Sequence, residues 1–142
     1  MPSTKGYANL RLKFLLTLKW FSLKQREEEL ARYQRTLADP DEKELCDIAL
    51  AAMKFFRNDN SAAQYLFSKS LNHFRHRKGA EAEYLKLFCI VYINLLRRNL
   101  DGAAMHARRS KFLKANLLVR SIFPIPDLEE KVLFQNSIEA IG

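Results

Sequence analysis

The chain has 142 residues, 48% of them hydrophobic and 28% charged, with only 4 Gly and 4 Pro and a formal net charge of +8. That length suits one domain with a real buried core. Such a composition argues against disorder and against sheet, and for a few long helices. The charge is unevenly placed: residues 1–26 carry six Lys or Arg and no acid, and residues 86–120 carry eight against Asp101 alone. Two basic blocks of this kind suit an anionic partner, although a solvated helix face produces the same pattern.

The first block, through Arg26, mixes Phe14, Trp20, Phe21 and six Leu with lysines. Lys13 and Lys19 leave too short an apolar run for a secretory signal, and the low Arg content suits a mitochondrial presequence poorly. The segment reads instead as a helix from about Asn9 towards Leu37, with Glu27, Glu28 and Glu29 facing water. It forms an N-terminal basic, apolar element over 1–38 ahead of a helical domain over 39–142, in one domain overall. Its aromatic surface needs cover, from its own domain, from a second copy in a homodimer, or from a partner or anionic membrane.

Asp39-Pro40-Asp41-Glu42 is a helix start, with Asp39 as N-cap and Pro40 at the first helical position. The helix should run to about Arg57 and bury Leu45, Ile48, Ala49, Ala52, Met53 and Phe56. Ser61 and Gln64 suggest a capping box for a helix to about His76 that buries Ala62, Tyr65, Leu66, the stem of Lys69 and Leu71 or Phe74. Gly79 ends it. The next helix centres on Tyr84 to Leu96, where only Lys86 and Asn94 are polar; it is too short to cross a bilayer and must be wrapped on most faces. Asp101 is the expected N-cap of a fifth helix, Gly102 to about Ile122, with Ala103, His106, Ser110, Leu113 and Leu117 on one face. Asp127 and Glu130 open a sixth, to about Ala140. Breaks this short force antiparallel neighbours, so the fold class is all-α with about six helices.

The chain also repeats internally: at an offset of 41, Arg57, Asn58, Ala62 and Ala63 align with Arg98, Asn99, Ala103 and Ala104. With this repeat, residues 40–120 resemble the tetratricopeptide-repeat superfamily. Ala63 and Phe67 match its A-x3-F spacing, Ser70 and Leu71 follow in place, and Leu50 and Ala51 match the first helix. The second unit departs from the pattern, since an offset of 40 is needed to put Ala107 and Ser110 at the corresponding positions, and the Trp-x2-Leu-Gly-x2-Tyr run is missing. The resemblance implies stacked antiparallel hairpins and a cytoplasmic adaptor that binds another protein or peptide.

Chemistry-bearing clusters are sparse. His73 and His76 have metal-ligand spacing but basic neighbours, no Gly-rich phosphate loop occurs, and His106 has no nucleophile that sequence can place beside it. We therefore expect no catalytic residues, metal or cofactor. Cys46 and Cys89 read as buried thiols. The candidate partner-binding residues are Arg97, Arg98, Arg108, Arg109, Lys111 and Lys114, together with Trp20 and Phe21. Arg108, Lys111 and Lys114 would form a stripe on the fifth helix, and nucleic-acid binding through the 86–120 block is the alternative function.

Overall fold

The computed structural model describes residues 22–115, 117–126 and 128, and every regular element among them is helical. The helices are α1 (Leu23–Gln34), α2 (Pro40–Phe56), α3 (Asn60–Phe74), α4 (Ala80–Leu96), α5 (Leu100–Ser110) and α6 (Leu117–Ile122). From α1 to α5, each helix packs on the next. Cross-helix bonds give their sense: Lys69 and His73 on the second half of α3 reach Asp47 and Asp41 on the first half of α2, so the two run antiparallel.

The two middle hairpins share one register. Pro40–Phe56 and Ala80–Leu96 each span 17 residues and start 40 apart; Asn60–Phe74 and Leu100–Ser110, of 15 and 11 residues, also start 40 apart. Both first helices close through the same turn. Asn58 (φ 65°) and Arg98 (φ 59°) adopt left-handed backbone, and the next residue's N–H returns to the last helical turn, Asp59 to Lys54 O at 2.9 Å and Asn99 to Asn94 O at 2.8 Å. This is the Schellman closure. Burial follows the same period: Leu45 and Leu85, Ala63 and Ala103, and Ser70 and Ser110 are all inside. The expected offset of 41 is therefore corrected to 40; matching identical residues across the break slipped the alignment by one. Helix α1 ends at Gln34, one full repeat before the end of α3 at Phe74, and its buried Glu27 and Leu30 match Phe67 and Ser70. It stands in the register of a second helix, ahead of the first complete pair.

Helix α4 is the centre. Tyr84, Leu85, Leu87, Phe88, Cys89, Val91, Tyr92 and Ile93 are all buried. Tyr92 stacks on Phe67 of α3 (5.2 Å between centroids, 13°) and meets Phe88 and Phe55 at 4.9 and 5.0 Å. After α6, Phe123 closes the core against Phe88 at 5.5 Å, and its carbonyl accepts the Tyr84 hydroxyl proton at 2.7 Å. Cys46 and Cys89 are free and buried. Burial pushes the Cys46 thiol up to about 12, with Asp47 and Glu42 adding to it.

Several expected boundaries are corrected. The first helix is not continuous from Asn9: Ser22 is extended and caps α1, accepting from Gln25 N–H while Gln25 Oε1 accepts from Ser22 N–H. Residues 1–21, and the expected helix opened by Asp127 and Glu130, lie outside the described residues. Glu27 is buried, drawn in by Lys54 Nζ at 2.8 Å and Arg57 Nη1 at 3.1 Å. The Asp39 cap forms as expected, accepting from Glu42 N–H at 3.0 Å. The Ser61–Gln64 box does not, because Asp59 is the N-cap residue and places Ser61 inside the helix. Consequently Ala63, Phe67 and Ser70 point inward, while Tyr65 is 66% exposed. Asn99, not Asp101, caps α5, accepting from Gly102 N–H at 3.1 Å. Helix α5 stops at Ser110 rather than Ile122, so Leu117 opens α6 and is exposed.

The common register predicts matched responses. Ala63→Leu and Ala103→Leu should each overpack a closed contact and cost about 1–3 kcal/mol, whereas Tyr65→Ala and Met105→Ala, at exposed matching positions, should stay within about 0.5 kcal/mol of wild type. Urea unfolding of the four variants checks this.

Candidate functional site

Small residues on one helix make room beside large ones on the next. Ala49 and Ala52 of α2 leave a hollow that is also lined by Met53 of the same helix, Phe88 and Tyr92 of α4, residues 121–124, and Leu23 and Arg26 of α1. The cavity measures about 260 Å³, below the roughly 300–1,000 Å³ of small-molecule sites. Phe56 stands at its rim, 59% exposed, where sequence periodicity expected it buried; α2 ends there, and its ring turns edge-on to Phe55 at 5.3 Å. The lining residues with polar side-chain groups at this mainly apolar groove are Arg26, Tyr92 and Ser121. Burial raises the Tyr92 hydroxyl to about 12, with Tyr84 adding to it. It therefore stays protonated and able to donate. Sequence reasoning missed this site because its signal is a combination, Ala49 and Ala52 of one unit lining a hollow with the aromatics of the next.

A second cluster ties α2 to α3. Glu44 is buried and accepts from Ser70 Oγ at 2.7 Å and Lys69 Nζ at 2.9 Å; Lys69 also reaches Asp47 at 2.7 Å. Asp41 meets His73 Nε2 at 2.7 Å and Arg77 Nη2 at 3.0 Å. Gln34 extends the ladder to α1, donating to Asp47 Oδ1 at 2.9 Å. Burial alone would raise the Asp41 pKa, but the hydrogen bonds from Arg77 and His73 outweigh it and hold the carboxyl below its ordinary value. Burial likewise opposes the charge on Lys69, and Asp47 and Glu44 overcome it, raising that pKa. His73 is thus engaged with carboxylates, and no grouping of three or more His, Cys, Asp or Glu able to hold a metal occurs among the described residues.

The basic candidates separate. Arg97 and Arg98 are exposed where α4 ends, and Arg108 and Arg109 are exposed at the far end of α5. A helix of 11 residues puts about 16 Å between the two sites. The expected stripe of Arg108, Lys111 and Lys114 does not form, because the helix ends before Lys111 and Lys114 lies in the following link. Arg120, also counted in that block, is committed internally: it bonds the carbonyls of Ser110 and Leu113 and lies 4.9 Å over the Tyr84 ring. His106 is half-buried, its Nδ1 has no partner, and burial, then Arg109, lowers its pKa. Trp20 and Phe21 lie outside the described residues. No protein-family model matches the chain, and no curated protein or solved structure matches it significantly.

The ladder should govern the pH limits of stability. A lowered Asp41 pKa contributes stability fully present above its unfolded value near 3.9 and lost as pH falls through the folded value. A raised Lys69 pKa contributes stability present below about 10.4 and lost as pH rises through the folded value. Asp41→Asn should therefore flatten the acid limb of a thermal-melting profile, and Lys69→Met the alkaline limb. At neutral pH Lys69→Met should cost about 1–3 kcal/mol, less than a fully buried pair because Lys69 is partly solvated.

Proposed function

We propose that this chain is a non-enzymatic adaptor: a tetratricopeptide-like domain that presents a helix-lined groove to a segment of another protein. The observation that carries the reading is the apolar hollow between α2 and α4, with the exposed aromatic Phe56 and the hydroxyl-bearing Tyr92 and Ser121 among its lining residues. Its volume suits one large apolar side chain rather than a cofactor. Tyr92 and Ser121, which line the groove, can bond a peptide main chain. The partner is thus a short segment with a large apolar residue. The repeating hairpin supports the likeness to stacked-hairpin adaptors, although its register is longer than their usual period of about 34.

Selection of a displayed peptide library on the full chain, followed by calorimetry and observation of the Met53 methyl resonance, tests this. The recovered peptides should carry a large apolar anchor, shift the Met53 resonance, and lose at least about tenfold in affinity, about 1.4 kcal/mol, with Phe56→Ala or with Ala52→Phe filling the hollow. Recovery of no peptide, or of peptides indifferent to both substitutions, overturns the reading. So does a shift of the Met53 resonance on Trp20→Ala in the free protein, which would mean that the chain's own first residues occupy the groove.

A further inference from the structure

Tyr84 and Tyr92 both belong to α4, and both are almost wholly buried. The Tyr84 hydroxyl donates to the Phe123 carbonyl at 2.7 Å. The Tyr92 hydroxyl makes no hydrogen bond among the described residues, although the residue is only 5% exposed. Its oxygen is not sealed in either: the buried side-chain atoms that lack both solvent and a partner are Glu27 Oε2 and His106 Nδ1 among the described residues. The space that Tyr92 lines is the hollow between α2 and α4. Buried polar groups are nearly always bonded, and a buried Tyr usually finds a partner for its hydroxyl. A hydroxyl left unbonded beside an apolar hollow is therefore placed to meet a polar group that arrives from outside. The rest of the lining favours a ring. Phe56 stands edge-on to Tyr92 at 6.4 Å and Phe88 meets it at 4.9 Å, while Met53 adds a thioether. Aromatic rings pack best edge-on or offset against other rings, and methionine sulfur favours a ring edge.

We infer that the anchor taken by this groove is an aromatic side chain with a polar hydrogen of its own, Trp or Tyr, whose N–H or O–H donates to the Tyr92 hydroxyl oxygen. The inference rests on the adaptor reading and makes Tyr92 the residue that sets its specificity. Ser121, the other hydroxyl of the lining, is exposed and readily meets a main chain, whereas Tyr92 is met by what enters the hollow. A Phe, Leu or Met anchor fills the same space but strips water from the Tyr92 hydroxyl without replacing the lost bond. A site built to bond a polar group rejects the analogue that lacks it. Without the Tyr92 hydroxyl the order reverses, because a Trp or Tyr anchor then has nothing to receive its proton.

Parallel selection of a displayed peptide library on the full chain and on Tyr92→Phe, which keeps the ring that stacks on Phe67, tests the inference. The wild-type chain should return anchors of Trp or Tyr, and Tyr92→Phe anchors of Phe, Leu or Met. A second arm needs no variant protein. Peptides recovered on the wild-type chain are resynthesised with benzothienylalanine for Trp, or Phe for Tyr, which keep the shape and remove the polar hydrogen. Calorimetry on the wild-type chain should show a loss of at least about tenfold, and on Tyr92→Phe a change within about twofold. Wild-type anchors that are mostly Phe, Leu or Met, or a wild-type affinity unchanged by the resynthesis, overturn the inference and leave the adaptor reading standing. So does a loss of the same size on Tyr92→Phe. Recovery of no peptide on the wild-type chain overturns the adaptor reading, and the inference with it.

Discussion

Burial of α4 on almost every side is the constraint on which the other elements depend. A helix with Leu85, Phe88, Val91, Tyr92 and Ile93 all inside has only the narrow stripe of Glu83, Lys86, Ile90 and Asn94 to give to water, so α3, α5 and the link through Phe123 must each cover part of it. The aromatic contacts set how they do so. Tyr92 stacks flat on Phe67 while Phe88 meets Phe67 and Phe123 near edge-on, the geometries preferred by rings carrying a quadrupole. The short links then leave antiparallel packing as the arrangement for consecutive helices.

The register shared by the two hairpins explains the placement of the groove. Where the second unit has Tyr92, the first has Ala52, and where the second has Cys89, the first has Ala49. Matched backbones with unmatched side-chain volume leave a hollow on the smaller side. The polar ladder from Gln34 through Asp47, Lys69 and Glu44 lies on the opposite side of the α2 register and locks α1, α2 and α3 together. Its buried member, Glu44, is matched by Tyr84 in the second unit, and each of the two has a hydrogen-bonding partner. The same slot is therefore polar in one unit and amphipathic in the other.

Much of the fold was legible in the sequence because its signals are local. Asp39-Pro40 marked a helix start, Gly79 a break, and the uninterrupted apolar run a central helix. The failures share a cause, which is that tertiary partners outrank local preference. Glu27 looked solvated until Lys54 and Arg57 came within reach, and Asn99 took the cap from Asp101 because the Schellman turn at Arg98 fixed where α5 could begin. The inward face of α3 followed the A-x3-F spacing of Ala63 and Phe67, not the face drawn from the assumed Ser61 cap. The basic residues were visible in the sequence. Their separation was not, because it depends on α5 ending at Ser110. The groove was the least legible feature, since it exists only between side chains of successive repeats.

Native-state hydrogen exchange most directly tests the central place of α4. If both hairpins depend on it, the amides from Leu85 to Tyr92 will exchange only through global unfolding, with the same free energy and denaturant dependence as the inner amides of α2 and α3. Exchange of α4 through a smaller, sub-global opening, while α2 and α3 stay protected, would contradict the account and make the first hairpin the independent core.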